Sequence, residues 1–90
     1  MQLIEKLHPG YILKKEFLDP MNISHEYFSS ETGISEFNLK EILHCRENVS
    51  YSTAVKLSHF FGTPETYWLD MQNQYNQVMK VIMNTDIQET

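Results

Sequence analysis

Residues 24–43 read SHEYFSSETGISEFNLKEIL, and this stretch decides the fold. Ser24 and Ser35 are good N-terminal caps, because a serine hydroxyl can accept a hydrogen bond from an unpaired backbone N–H of the first helical turn. Gly33 can take the left-handed conformation in which many helices end. The two helices are then separated by about three residues, a spacing typical of a helix-turn-helix unit. Ser29 supplies the small side chain that such a close crossing needs.

The apolar residues around this turn indicate how the second helix is held. They are expected to pack against the body of the protein; they are Phe28, Ile34, Leu39 and Ile42. The N-terminal end of the second helix should therefore point outward.

Two further helices are predicted from their end signals. The first begins at His8-Pro9-Gly10, with proline at an early helical position where its missing N–H loses nothing. It should stop at Asp19-Pro20, because the residue before a proline is pushed out of the α region. The fourth helix should begin at Ser50 and end at Gly62.

The fifth helix has the clearest start in the chain, at Thr63-Pro64-Glu65. Threonine is expected as the N-cap, and the glutamate lies near the positive end of the helix dipole. We expect the helix to run to about Met83 and residues 84–90 to form a flexible tail, because the tail shows no periodicity. The sequence thus predicts an all-α, five-helix domain over residues 1–83.

Length and composition limit the class of protein. The 90 residues suffice for one domain. The sequence contains no run of about 18 apolar residues, the length that a membrane span needs. Its start, MQLIEK, lacks the apolar stretch of a signal peptide. A single cysteine, Cys45, excludes an intramolecular disulfide. We therefore expect a cytoplasmic protein without a membrane partner.

The net charge of −5 is unlike that of most nucleic-acid-binding domains. Acidic residues are densest in residues 24–49, which contain five glutamates and two basic residues (Lys and Arg); the glutamates are Glu26, Glu31, Glu36, Glu41 and Glu47. This balance can serve solubility alone, or it can complement a cationic partner by electrostatic steering.

Several longer pieces of the chain resemble one known family. HPGYILKKEFLDP at 8–20, Ala54–Leu57 and FFGTPETYWLDMQ at 60–72 resemble the HigA family of antitoxins, within the lambda-repressor-like helix-turn-helix group. The resemblance covers most of the chain. It implies a homodimer that binds operator DNA, represses its own operon and neutralises a small basic RNA-cleaving toxin of the RelE/HigB type.

The same resemblance assigns candidate DNA-binding residues, which are His25, Ser35, Glu36, Phe37, Asn38, Lys40 and Arg46. Asn38 could read adenine, Glu36 could accept from cytosine, and Lys40 could meet guanine or phosphate. Ser35 could instead only cap its helix, and the whole set could be an ordinary polar face. The chain departs from the family where glutamate, phenylalanine and asparagine replace basic or small polar residues on the second helix. It departs again where Cys45-Arg46-Glu47-Asn48 follows that helix.

The fifth helix carries a heptad-like series of large side chains from Trp68 to Ile82. We expect Trp68 to pack into its own domain. Beyond Tyr75 the helix should outrun the core, and the exposed apolar residues there would mark a dimer or partner interface; they are Val78, Met79, Ile82 and Met83, with Tyr75 as the fifth candidate of that interface. The alternative is a frayed helix end.

No enzyme chemistry is indicated by the residues. The histidines and Cys45 lack any metal-ligand spacing, and no acid–base pair or phosphate loop is present, so we expect neither a catalytic site nor a cofactor. Two alternatives to an antitoxin remain: an interaction module with weakened or lost DNA binding, and a free-standing transcriptional repressor.

Overall fold

The structure, a computed structural model, describes residues 2–89, with the side chains of residues 4–83. Its elements are α1 (Gln2–Glu5), α2 (Pro9–Ile12), a π-helical segment (Leu13–Leu18) that continues α2, α3 (His25–Thr32), α4 (Glu36–Leu43), α5 (Tyr51–Phe61) and α6 (Glu65–Glu89). Residues 2–89 contain no strand, so the predicted all-α fold is confirmed. Helix α1 is additional to the five predicted helices.

The first predicted helix ends where its proline suggests, at Leu18. Asp19, directly before Pro20, keeps a right-handed helical conformation, with φ −67° and ψ −51°. Two backbone hydrogen bonds then close the end of the helix. The N–H of Ile23 donates to the Leu18 carbonyl, and the N–H of Asn22 donates to the Asp19 carbonyl. With Asn22 at φ 57°, this is a Schellman motif. The expected stop at Asp19-Pro20 is therefore confirmed, since the helical segment ends at Leu18 with Asp19 as its C-cap, although Asp19 itself keeps a helical backbone conformation.

The helix-turn-helix unit forms as predicted. The Ser24 and Ser35 hydroxyls cap α3 and α4, accepting from the third residue beyond each. Gly33 ends α3 at φ 81°, in the region that glycine enters without steric cost. The Ser29 hydroxyl donates to the Ile34 carbonyl across the turn, so the small residue also fastens the crossing.

Helices α5 and α6 complete the core. Ser50 caps α5 and Gly62 ends it at φ 76°, both as expected. The Trp68 ring is 0% exposed and its indole N–H donates to the Thr63 hydroxyl at 2.8 Å. That hydroxyl, the expected cap of α6, thus also holds the indole. The core side chains come from every segment between α2 and α6; they are Leu13, Leu18, Phe28, Ile34, Leu39, Ile42, Leu43, Val49, Ala54, Leu57 and Trp68.

Helix α6 is the longest element, with 25 residues. A helix of that length spans about 37 Å, and the molecule measures 47 × 21 × 21 Å. The backbone is helical beyond the expected end near Met83. The side chains of 84–90 lie outside the described residues, and the flexible tail stays a prediction. None of the helices within residues 2–89, α6 included, is apolar enough to cross a membrane.

The backbone of α2 packs directly against the backbone of α4, at Gly10 and Ile42. A Cβ added at Gly10 would overlap the carbonyl oxygen of Ile42, near the C-terminal end of α4. Glycine is therefore required at this position by the close approach of two helices rather than by its own backbone conformation. This contact sets how α4 lies on the rest of the domain.

Candidate nucleic-acid interface

Helix α4 has one buried and one exposed face. Leu39 and Ile42 are 0% and 2% exposed, whereas Glu36, Asn38 and Lys40 are exposed. Because the buried stripe fixes the rotation of α4, the remaining side chains have to project outward. The structure therefore brings five of the seven candidate residues, Ser35 to Lys40 without Leu39, onto one short exposed segment.

Ser35 has a structural role that can be seen directly. Its hydroxyl accepts from the Asn38 N–H at 3.1 Å. The capping alternative raised from the sequence is thus part of the structure, and it leaves the hydroxyl exposed at the start of α4. A helix N-terminus also concentrates unpaired N–H groups and positive potential, which favours an approaching phosphate.

Arg46 is held by an acidic neighbour. Its Nε and Nη2 atoms donate to the two carboxylate oxygens of Glu41, at 3.1 and 3.0 Å. The same bonds lower the pKa of Glu41 and raise that of Arg46. Arg46, a candidate DNA-binding residue from the sequence, is thus held in a two-point ion pair with Glu41 on the surface.

The turn that permits this pairing is unusual. Cys45 has φ 62°, and the Arg46 and Cys45 N–H groups donate to the Glu41 and Ile42 carbonyls. This is a second Schellman motif, with cysteine where glycine is the usual residue. Burial raises the pKa of the Cys45 thiol, which disfavours the reactive thiolate.

The remaining cationic candidates differ in accessibility. Lys40 is exposed, and no ion pair to it occurs within residues 4–83. His25 is the first residue of α3 and is half-buried. Lys40 is therefore the most available positive charge on the unit.

The acidic residues of the unit are distributed unevenly. Glu41 is the partly buried one and is neutralised by Arg46. The other four, Glu26, Glu31, Glu36 and Glu47, are exposed. Glu36 alone of these lies on the exposed segment of α4, so it is the glutamate best placed to meet a base edge.

Two supporting residues were not identified from the sequence. His8, 0% exposed, caps α2 by accepting the Gly10 N–H at Nδ1, 2.8 Å away, and its ring meets Tyr75 edge-on. Burial lowers its pKa, partly offset by the Glu47 backbone. Gln72, 4% exposed, accepts from the Val49 N–H at 2.7 Å. Both lie inside sequence pieces that resemble HigA proteins, but their long-range contacts leave no local signal.

Gln72 anchors the loop that follows α4. Its side-chain nitrogen donates to the Asn48 and Asn76 side chains, at 3.1 and 3.0 Å. Together with the bond from Val49, these contacts tie the loop to α6. The position of the loop next to Arg46 is therefore fixed by a buried polar network.

The expected interface on α6 is less open than predicted. Tyr75, Val78, Met79 and Ile82 are half-buried, and Met83, 58% exposed, is the one exposed member of that set. Val78, Met79 and Ile82 are thus less exposed than expected, and both α1 and α2 pack against α6. Val81, which was not among the candidates, is 62% exposed.

Within the described side chains, no group of three histidine, cysteine or acidic residues could hold a metal ion. Helix-turn-helix geometry with an exposed second helix is the architecture of DNA-binding regulators.

Comparison with known proteins identifies the family more closely. No family model matches the chain. Over 73 residues it is 33% identical to Virulence-associated protein I of Dichelobacter nodosus, a match that covers 81% of this chain and 68% of that protein. It is similar to the solved Pseudomonas aeruginosa antitoxin HigA with the higBA promoter, at TM-score 0.84 and 27% identity over 91% of this chain and 89% of that one. Antitoxin GraA gives TM-score 0.84 and 29% identity, over 88% and 85% of the two chains.

The chain belongs to the HigA family of antitoxins, which are non-enzymatic regulators. The family resemblance of the sequence is thereby confirmed.

Proposed function

We propose that this protein is the antitoxin of a toxin–antitoxin module, binds operator DNA as a homodimer, represses its own operon and neutralises a basic RNA-cleaving toxin. DNA binding is supported by the exposed segment of α4, which lies opposite the buried stripe of Leu39, Ile42 and Leu43. The likeness to an antitoxin solved with its promoter supports the same conclusion. We place its activity in the cytoplasm.

Recognition of the operator would use the major groove, which is wide enough to admit a helix. Asn38 would bond bidentately to adenine, Glu36 would accept from cytosine N4, and Lys40 would meet guanine or phosphate. His25, Ser35 and Arg46 would contact the backbone, which positions the protein without carrying sequence information.

Dimer or toxin contact is assigned to the far half of α6. Val78, Met79 and Ile82 retain partial exposure there, next to the exposed Met83, and Tyr75 lies at the near edge of this surface. A net charge of −5 suits a cationic toxin, since opposite charges accelerate association.

A DNA-binding measurement tests the central claim. Fluorescence anisotropy with a labelled duplex from the protein's own promoter should show saturable binding at low salt. Asn38→Ala should then cost about 1–3 kcal/mol on that duplex. Met21→Ala, an exposed apolar change outside the helix-turn-helix unit, is the matched control and should bind as the wild type does.

A second candidate function is favoured by one observation. Of the two basic residues in 24–49, Arg46 is already engaged by Glu41, which leaves little charge for phosphate. An interaction module that neutralises a toxin without binding DNA would have this property. Absence of any promoter binding at low salt, with toxin binding retained, would select that alternative.

A further inference from the structure

Phe37 stands at the centre of the exposed face of α4. Successive residues of a helix are rotated by about 100°, so Phe37 lies opposite the buried stripe of Leu39, Ile42 and Leu43. Its side chain is 70% exposed, more than any other large apolar residue within 4–83. Isolated exposed apolar residues are common. What distinguishes Phe37 is its position at the centre of the exposed face of α4, and not its exposure alone.

The neighbours of Phe37 are polar and unengaged. Glu36 and Asn38 flank it in sequence, and Lys40 lies three residues on, on the same side of the helix. No side-chain hydrogen bond or ion pair within residues 4–83 involves these three side chains. One aromatic ring is thus surrounded by groups able to bond to base edges and phosphates.

The major groove contains an apolar group that matches such a ring. Base edges there present hydrogen-bond donors and acceptors, and thymine adds a 5-methyl group that apolar side chains such as phenylalanine contact. A ring at the centre of the inserted face comes closest to the floor of the groove, where that methyl projects.

We propose that Phe37 determines specificity by contacting the 5-methyl group of a thymine in each operator half-site. This inference rests on the proposed function. The same methyl chemistry exists on 5-methylcytosine, and we assign the contact to thymine because that base carries the methyl without modification.

The test removes the methyl group and nothing else. Two promoter duplexes of identical sequence are prepared, one with thymine and one with uracil throughout, and their dissociation constants are measured by anisotropy. Burial of one methyl is worth about fourfold in affinity, so the wild type should bind the uracil duplex about fourfold more weakly for each methyl contacted. Phe37→Ala should bind the two duplexes alike, and Phe37→Leu should keep part of the difference.

Controls separate this inference from the function on which it rests. Met21→Ala should keep the wild-type ratio between the two duplexes, which shows that substitution by itself does not change it, whereas an effect of uracil on DNA shape would persist in Phe37→Ala. Equal wild-type binding to both duplexes, or an unchanged ratio in Phe37→Ala, overturns the inference and leaves DNA binding intact. Failure of the wild type to bind the thymine duplex overturns the proposed function and this inference with it. A further duplex with 5-methylcytosine for cytosine should bind as the unmodified one does, and a gain lost in Phe37→Ala would assign the contact to cytosine instead.

Discussion

Replacing Gly10 with alanine should separate two helices of the domain. The new methyl group would overlap the Ile42 carbonyl oxygen, and its next neighbour is the carbonyl carbon of the same residue. Because both atoms belong to the backbone of α4, no side-chain rotation can relieve the overlap, and α2 and α4 have to move apart. Overpacking of this kind costs about 1–3 kcal/mol and sometimes more, and we expect the upper end here. A 90-residue domain has about 4–14 kcal/mol in total.

Urea unfolding followed by circular dichroism measures this loss, and the melting temperature should fall by roughly 10–20 °C. Gly33→Ala is the matched control, since its new Cβ would meet open space but would carry φ +81°. That strain costs about 1–2 kcal/mol, and Gly33→Asn should recover part of it because asparagine tolerates the left-handed region. Wild-type unfolding of Gly10→Ala would refute the direct contact between α2 and α4.

The other predictions concern charge, pH and assembly. Glu41→Gln should release Arg46 and steepen the dependence of promoter affinity on salt by up to about one unit, and the double change with Arg46→Ala should abolish that gain; salt titrations that leave the Glu41→Gln slope unaltered would argue against Arg46 as a phosphate contact. Glu36→Gln should alter sequence preference in a binding-site selection, whereas Glu41→Gln should not, and the reverse pattern would displace Glu36 from the base edge. His8 is neutral in the fold because burial lowers its pKa below the ordinary 6.5, so its contribution to stability is present above pH 6.5 and is lost as the pH falls toward the folded pKa. Urea unfolding between pH 7.5 and 5 should show a weaker pH dependence for His8→Gln than for the wild type, and identical slopes would contradict this. Removal of residues 76–90 should lower the oligomeric state in sedimentation experiments, and an unchanged size with unchanged melting would dismiss the α6 interface.

The features that the sequence predicted well are those decided by neighbouring residues. Ser24, Ser35 and Ser50 each cap the expected helix, because a cap bond joins groups three residues apart. Gly33 and Gly62 end helices for a reason equally local to the backbone. The exposed segment of α4 followed from these ends and from the apolar spacing between them.

The features that the sequence analysis missed depend on distant or non-standard contacts. Helix α1 has four residues and is too short to show periodicity. The pair between Glu41 and Arg46 spans five residues, outside the usual helical spacing of three or four, and it exists because Cys45 turns the chain back. The buried bond from Val49 to Gln72 joins residues 23 apart. Such contacts depend on how the helices pack against one another, which the local sequence does not specify.

The two faces of α4 have different roles: one packs into the core and the other is exposed to solvent. Cohesion of the domain rests on Leu39, Ile42 and Leu43, while the side chains of Glu36, Phe37, Asn38 and Lys40 contribute no bond to the fold within residues 4–83. Substitutions on that outer face should therefore be close to neutral for stability. If the proposed function holds, paralogues descended from such a domain can diverge in operator choice by exchanging these few positions, with no compensating change in the core. A selection library restricted to the same positions would sample new specificities from a population of folded proteins.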